Sequence, residues 1–312
     1  MEFKHKSVLL NECIEALNIK EDGIYVDGTL GGAGHSSVII SKLDKNGKLI
    51  GIDRDMDALE ASAEKLKLYS NFYPVHDNHA NIKSVLSKLG IDGVDGILLD
   101  LGVSSYQLDE VTRGFSYMND APLDMRMNRE DEISAFDVVN NYSEEKLANI
   151  FFEYGEERYS KNIARNIVKA RNEKEIKTTL ELVDIIKKSM PNKALNEKQH
   201  PAKRVFQAIR IEVNEELTKL KQAVEDSIMS LNDEGRLAII TFHSLEDKIV
   251  KHTYEDMQGR CTCPSGLPVC VCGYKSYGKI INKKPIISSE EELKANPRAR
   301  SAKLRIFERV IK

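Results

Sequence analysis

Three aspartates, Asp27, Asp53 and Asp100, each close an apolar run short enough to be a buried strand: Ile24-Tyr25-Val26, Leu49-Ile50-Gly51-Ile52 and Gly96-Ile97-Leu98-Leu99. After Asp27 the chain reads Gly28-Thr29-Leu30-Gly31-Gly32-Ala33-Gly34-His35-Ser36, a glycine-rich turn leading into a helix begun by Val38-Ile39-Ile40. Glycines at such a turn let a ligand come close to the main chain. An acid at the tip of the second strand is placed to accept hydrogen bonds from ribose hydroxyls. Together they point to a cofactor containing a nucleoside. His76-Asp77-Asn78-His79, after a further short strand Phe72-Tyr73-Pro74-Val75, falls at the same expected edge.

The elements that must position these side chains alternate. A short amphipathic helix over residues 8–17 precedes the first strand, and helices over 58–68 and 82–89 separate the next three. Strand and helix at this spacing predict a parallel sheet with helices on both faces, whose ligands bind beyond the carboxyl ends of the strands. After Asp100 the rhythm breaks. Residues 106 to about 200 show no convincing strand, which predicts a helical insertion. Within it, Ser143 is set to cap one helix and Thr178 with Glu181 forms a capping box before another. Pro201 then opens an expected long helix in which Phe206, Ile209, Val213, Leu217, Leu220, Val224, Ile228 and Leu231 make one apolar stripe. Leu237 to Phe242 resumes the sheet, and residues 279–287 and 303–310 are expected to close it as an antiparallel hairpin.

The chain has 312 residues, 41% hydrophobic and 30% charged, as in an ordinary globular protein. No run approaches the roughly 18–20 apolar residues of a membrane span, and the N-terminus lacks the apolar stretch of a secretory signal, so the cytoplasm is the expected compartment. The net charge of −3 means that any nucleic-acid site must come from local clusters. Such clusters occur at Arg158, Lys161, Arg165, Lys169 and Arg171, at Lys203, Gln207 and Arg210, and at Arg298, Arg300, Lys303 and Arg305. Of the five cysteines, Cys13 reads as core. Cys261, Cys263, Cys270 and Cys272 form a CxC and a second CxC six residues on, which fits a structural Zn²⁺ site, a reduced-thiol loop or a redox pair.

These motifs resemble the class I S-adenosylmethionine-dependent methyltransferases, and more closely the ribosomal small-subunit methyltransferase H family, formerly MraW. The resemblance rests on the turn from Asp27 to Ser36, Gly51-Ile52-Asp53-Arg54-Asp55, Asp100-Leu101-Gly102-Val103-Ser104-Ser105-Tyr106-Gln107, Arg113-Gly114-Phe115-Ser116 and Tyr154-Gly155-Glu156-Glu157-Arg158. His200-Pro201-Ala202, Phe242-His243-Ser244-Leu245-Glu246-Asp247 and Asn296-Pro297-Arg298-Ala299-Arg300-Ser301 extend it nearly end to end. It implies a Rossmann-like α/β sheet over residues 1–105 and 204–312 and an inserted all-helical substrate-recognition domain over 106–203. It implies S-adenosylmethionine as cofactor, held by Ala33, Gly34, His35, Asp53, His79, Asp100 and Gln107. His79 departs from the family, many members of which carry phenylalanine there. It also implies N4-methylation of a cytidine in the 16S rRNA of the small ribosomal subunit. The protein is expected to be a monomer or homodimer.

For that chemistry Asp100, Ser104 and Ser105 are the candidate catalytic residues, the two serines serving equally well as loop caps. Arg113, Arg126, Lys203, Arg210, Arg298 and Arg300 are the candidate RNA contacts. No cysteine lies near the fourth strand, so methylation at nitrogen or oxygen is favoured over carbon 5. The competing readings are a nicotinamide oxidoreductase, disfavoured because the turn keeps no clean G-x-G-x-x-G, a non-catalytic RNA-binding module, and an N4-methyltransferase acting on another RNA or on DNA.

Overall fold

Helix α1 (Leu10–Leu17) opens the chain, followed by β1 (Ile24–Asp27), α2 (Gly34–Ser41), β2 (Lys48–Asp53), α3 (Met56–Leu66), β3 (Phe72–His76), α4 (Ile82–Lys88) and β4 (Val94–Asp100). Seven helices follow: α5 (Ser105–Asp109), α6 (Ala135–Asn141), α7 (Glu144–Glu153), α8 (Ser160–Glu173), α9 (Thr179–Lys188), α10 (Asn192–Leu195) and α11 (Lys203–Asn214). The chain ends with α12 (Leu220–Met229), β5 (Leu231–Thr241), α13 (Ser244–Gln258), β6 (Gly278–Ile280), α14 (Glu290–Ala295) and β7 (Lys303–Arg309). This computed structural model describes residues 7–197, 199–259, 263 and 271–311. It divides into two units, Met1–Gly102 with Leu217–Lys312, and Val103–Glu216. No helix among the described residues is long and apolar enough to cross a membrane.

The first unit is built on one seven-stranded sheet in the order β3-β2-β1-β4-β5-β7-β6. β1 to β5 pair in parallel, and β7 runs antiparallel to both β5 and β6. The central strands read as unbroken apolar runs because both faces are covered. Alternate residues serve opposite cores, as the two-residue period of a strand requires. Leu49, Leu98, Ala238 and Ile240 enter the core under α1 and α2. Ile50, Ile97, Leu99, Leu237 and Ile239 enter the core that α4, α12 and α13 complete. Cys13 is fully buried in the former, as expected of a core residue. The closing antiparallel pair is present, with its first strand confined to Gly278–Ile280.

Among its described residues the second unit contains seven α-helices and no strand, only an isolated bridge between Pro122 and Thr178. Its caps follow the sequence: Ser143 accepts from Lys146 N–H, and Thr178 and Glu181 form a reciprocal capping box. Its core gathers Leu123, Met125, Val138, Leu147, Phe151, Ile163, Ile167, Leu182, Phe206 and Ile209.

The expected single long helix is two. α11 ends at Asn214, Glu215 takes a left-handed φ of 50°, and α12 starts at Leu220. The apolar stripe is real but serves two cores: Phe206, Ile209 and Val213 pack in the helical unit, Leu220, Val224 and Ile228 pack under the sheet, and Leu231 is already the first residue of β5. The unit boundary therefore falls near 216, so α11 belongs to the helical unit, contrary to a sheet domain resuming at 204. Pro201 stands two residues ahead of α11.

Asn214 shows what fixes that end of α11. It is 2% exposed; its Oδ1 accepts from Met127 N–H at 2.8 Å, and its Nδ2 donates to the carbonyls of Met125 at 2.7 Å and Arg210 at 2.9 Å. Met125 itself has φ 58° and is buried, so this loop cannot easily find other partners. Asn214→Ala leaves a buried donor and acceptor unpaired, each costing about 1–3 kcal/mol. Chemical denaturation is expected to show a loss of about 3 kcal/mol; a loss under 1 kcal/mol would mean that water replaces the amide.

Candidate active site

The carboxyl ends of β1, β2 and β4 lie side by side, because Asp27 pairs with Gly51 and Leu98 in register and Asp53 stands opposite His76. Asp27, Asp53, Asp100 and the glycine turn therefore share one edge. Asp27 is 1% exposed and faces inward. Its Oδ2 accepts the Ser36 hydroxyl at 2.6 Å and its Oδ1 the Thr29 N–H at 3.2 Å, which ties the end of β1 to the first turn of α2. Burial outweighs those two bonds and pushes its pKa up to about 6.

The turn is laced to both neighbouring strands. Gly28 N–H donates to Leu98 C=O, Leu30 N–H to Ile52 C=O, and Asp100 N–H to the Thr29 hydroxyl at 2.5 Å. A Cβ on Gly28 would stand 2.4 Å from Leu99 Cδ2 and 3.1 Å from His79 Cβ, so this approach requires glycine. Ala33 holds φ 52° at the N-cap of α2, a strained position for a residue with a side chain. Lys65 Nζ donates to the carbonyls of Gly32 and Ala33 and secures the turn from α3.

Asp53 accepts Gly31 N–H at 2.8 Å and Asp55 N–H at 2.9 Å, one on each oxygen. Each oxygen keeps a second lone pair, the capacity needed to receive a pair of hydroxyls. Burial raises its pKa to about 6, against those hydrogen bonds. His79 follows β3, and its pKa falls to about 4 through burial and then the charge of Arg54, so at neutral pH it is an uncharged flat ring. His35 is 5% exposed. Its Nε2 lies 3.0 Å from Val8 C=O, which can only accept, so Nε2 carries the proton and Nδ1 faces Asp100 Oδ2 at 3.9 Å.

Asp100 stands apart. Its Oδ1 is buried without a hydrogen-bond partner. Burial, then the charges of Asp27 and Glu246, lift its pKa to about 8. An orphaned buried carboxylate oxygen at a sheet edge invites a cationic or hydrogen-bond donor. Sequence reasoning missed Glu246, which fixes the exit from β5: its Oε2 accepts the N–H groups of Phe242 at 2.8 Å and His243 at 3.3 Å. The available signal was an acid four residues past an apolar strand that ends at this same edge. Asp247, its neighbour, holds Lys303 and Arg305.

Ser104, Ser105 and Gln107 belong to the helical unit, at the start of α5. Ser104 and Gln107 make a reciprocal capping box, so both side chains serve the helix end. Several candidate RNA contacts are committed to the fold. Arg113 is 2% exposed and donates to the carbonyls of Arg126 and Met127. Arg126 is paired with Asp124, and Arg210 makes a two-pronged pair with Glu216 at 2.8 Å. Engaging these guanidinium groups with internal acceptors holds loops together and withdraws them from phosphate. Lys203, Arg298 and Arg300 are exposed. The latter two sit in the short helical turn 297–301 just before β7, whose first residue, Lys303, pairs with Thr241 at the carboxyl end of β5. They therefore lie at the same edge as Asp100. Of the cysteine cluster, Cys261 and Cys270 lie outside the described residues; Cys263 Sγ accepts the N–H groups of Val271 and Cys272 at 3.3 Å.

A doubly wound sheet with this strand order, its one antiparallel strand between β5 and β6, a glycine turn after β1 and an acid closing β2 defines the Rossmann-like class I methyltransferase fold. The MraW methylase family matches residues 2–310. The chain is 61% identical over 310 residues to the ribosomal RNA small subunit methyltransferase H of Clostridium botulinum strain Loch Maree / Type A3, covering 99% of this chain and 100% of that one. The corresponding protein of strain 657 / Type Ba4 is 60% identical over the same span. Among solved structures, an rRNA methylase from Streptococcus thermophilus is similar with a TM-score of 0.43 at 11% identity, covering 97% of this chain and 94% of that one. The chain belongs to the MraW methylase family.

The raised pKa of Asp100 sets a sign for stability. An unfolded aspartate titrates near 3.9, and folded Asp100 holds its proton to about 8. Between these values the folded protein binds more protons, so stability falls as pH rises. Asp27 and Asp53 act likewise but titrate by about 6. His79 acts oppositely, only below the ordinary histidine value of about 6.5. The cofactor-free protein is therefore expected to lose about 1–2 kcal/mol between roughly pH 6.5 and 8, and Asp100→Asn to flatten that slope. Equal slopes in the two proteins, followed by thermal melting, would assign the orphaned oxygen a different state.

Proposed function

We propose that this protein transfers the methyl group of S-adenosylmethionine to the exocyclic N4 of a cytidine in the rRNA of the small ribosomal subunit. The observation that carries this reading is end-to-end kinship with small-subunit rRNA methyltransferases over 99% of the chain, at 61% identity. The edge fits the cofactor on its own terms. The turn at Ala33, Gly34 and His35 brings main chain to the edge, Asp53 keeps lone pairs for ribose hydroxyls, and neutral His79 offers a flat face to adenine. Asp100 Oδ1 is the orphaned acceptor for the positively charged methionine end.

Bound there, the cofactor supplies an activated methyl on a sulfonium. What the chain must do is position the amine. A cytosine N4 is a poor nucleophile because its lone pair is delocalised into the ring. An acceptor that holds one N4 proton favours a pyramidal nitrogen and turns the lone pair outward, and positioning of this kind supplies much of the rate. With Oδ1 given to the methionine end, Asp100 Oδ2 is the acceptor left at the strand end for this, in the ionised form that a neighbouring positive charge favours, while the Ser104 hydroxyl is engaged by its own helix.

Nucleoside mass spectrometry of small-subunit rRNA from cells with and without the gene is expected to show N4-methylated cytidine only with it. Its presence in both samples would refute this substrate. Asp53→Ala is expected to weaken S-adenosylmethionine binding by about 1.5–3 kcal/mol, the usual loss of a charged hydrogen-bond acceptor. Unchanged affinity by calorimetry would remove Asp53 from the cofactor site.

A further inference from the structure

Within the helical unit, two arginines escape the fate of their neighbours. Arg113 and Arg171 donate to main-chain carbonyls, Arg126 and Arg210 pair with acids, and Arg165 reaches Glu144. Arg158 and Arg204 have no ion-pair partner among the described residues, yet both line one shallow notch with Tyr159, Met190, His200 and Pro201. Two acids also face it. Glu157 is 2% exposed and its Oε1 is occupied by Tyr159 N–H at 2.8 Å, while Glu197 stands exposed on the rim.

The notch is rigidly built. Gln207 Nε2 donates to Tyr154 C=O at 3.1 Å, and a Cβ on Gly155 would stand 2.6 Å from Arg204 C=O, so the 154–158 turn sits directly on the first turns of α11. That first turn carries Lys203 and Arg204 and no acid. Cations are unfavourable at a helix N-terminus, where the macrodipole is positive. Their placement there is a cost that a bound anion relieves.

Beside the arginines runs an aromatic ladder. Phe206 meets Tyr117 edge-on at 5.7 Å, and Tyr117 stacks on His200 at 4.6 Å with planes 10° apart. His200 is the outer rung, half-buried, and burial and then Lys187 lower its pKa, which keeps the ring uncharged at neutral pH. A flat ring backed by a second ring, next to unpaired guanidinium groups, is the combination by which proteins hold single-stranded nucleic acid: a base on the ring, phosphate on the cations.

We propose that the helical unit holds one nucleotide of single-stranded RNA, its base stacked on His200 and its backbone phosphate held by Arg158 and Arg204. This rests on the rRNA reading above and supplies a hold for the substrate within the helical unit itself.

The test uses the full chain and a short single-stranded RNA carrying one 2-aminopurine. Wild-type protein is expected to quench the 2-aminopurine; His200→Ala should abolish the quench and His200→Phe restore it. The double variant Arg158→Gln/Arg204→Gln, which removes both charges and keeps polar side chains, should bind RNA roughly ten-fold more weakly, with a log–log salt slope shallower by about 1.4, two phosphates' worth on a single strand. S-adenosylmethionine affinity and melting temperature should match wild type and so report intact folding. If wild type binds the RNA and these variants bind and quench equally, the subsite is overturned while the rRNA reading stands. If wild type binds no RNA, the rRNA reading itself fails.

Discussion

The bond between the Asp27 carboxylate and the Ser36 hydroxyl, buried at 2.6 Å, is the joint on which the sheet edge depends. It fixes where the first strand ends and the following helix begins. Between those points the turn must pass close to β2 and β4, and it does so through main-chain bonds to Leu98 and Ile52 and the Thr29 hydroxyl beneath Asp100. Every side chain placed for chemistry hangs from this lacing. Asp53 is oriented by the N–H of Gly31, a residue of the turn itself. The same packing brings three carboxylates into one poorly solvated region, and that proximity, added to burial, holds a proton on Asp100 well above the ordinary aspartate range.

The helical unit solves a different problem. Its loops between α5 and α6 have little regular structure, and polar side chains tie them down. Arg113, Arg126 and Asn214 each donate to main-chain carbonyls of those loops. A cation used this way is sequestered. The basic character of the unit's sequence therefore overstates its basic surface, and the few guanidinium groups without internal partners carry most of the information about what binds there.

Much of the architecture was legible because it follows from local patterning. Apolar runs of three or four residues, each ended by aspartate, located β1, β2 and β4, and the glycine turn and the caps at Ser143 and Thr178 stand where their residue types place them. Asp27, Asp53, Asp100 and His79 came together at one edge because a parallel sheet with regular crossovers leaves its strand ends no other arrangement. The change from alternating strands to helices after Asp100 was likewise visible in the periodicity alone.

Tertiary structure decided what periodicity cannot encode. One heptad-like stripe from Phe206 to Leu231 is continuous in sequence, but a left-handed Glu215 divides it between two cores, and nothing in spacing distinguishes a straight helix from a broken one. Arg113, Arg126 and Arg210 looked like surface cations because charge is a property of the residue, whereas its partner is a property of the fold: carbonyls 13 and 14 residues away for Arg113 and a glutamate six residues on for Arg210. Only the fold sets His200 on Tyr117, residues far apart in the chain whose rings have no reason to meet until α11 packs its apolar face. The sequence by itself determined the sheet, its edge and the acids upon it, because strand-end chemistry is local. Which charges remain free to meet a ligand was settled by long-range packing.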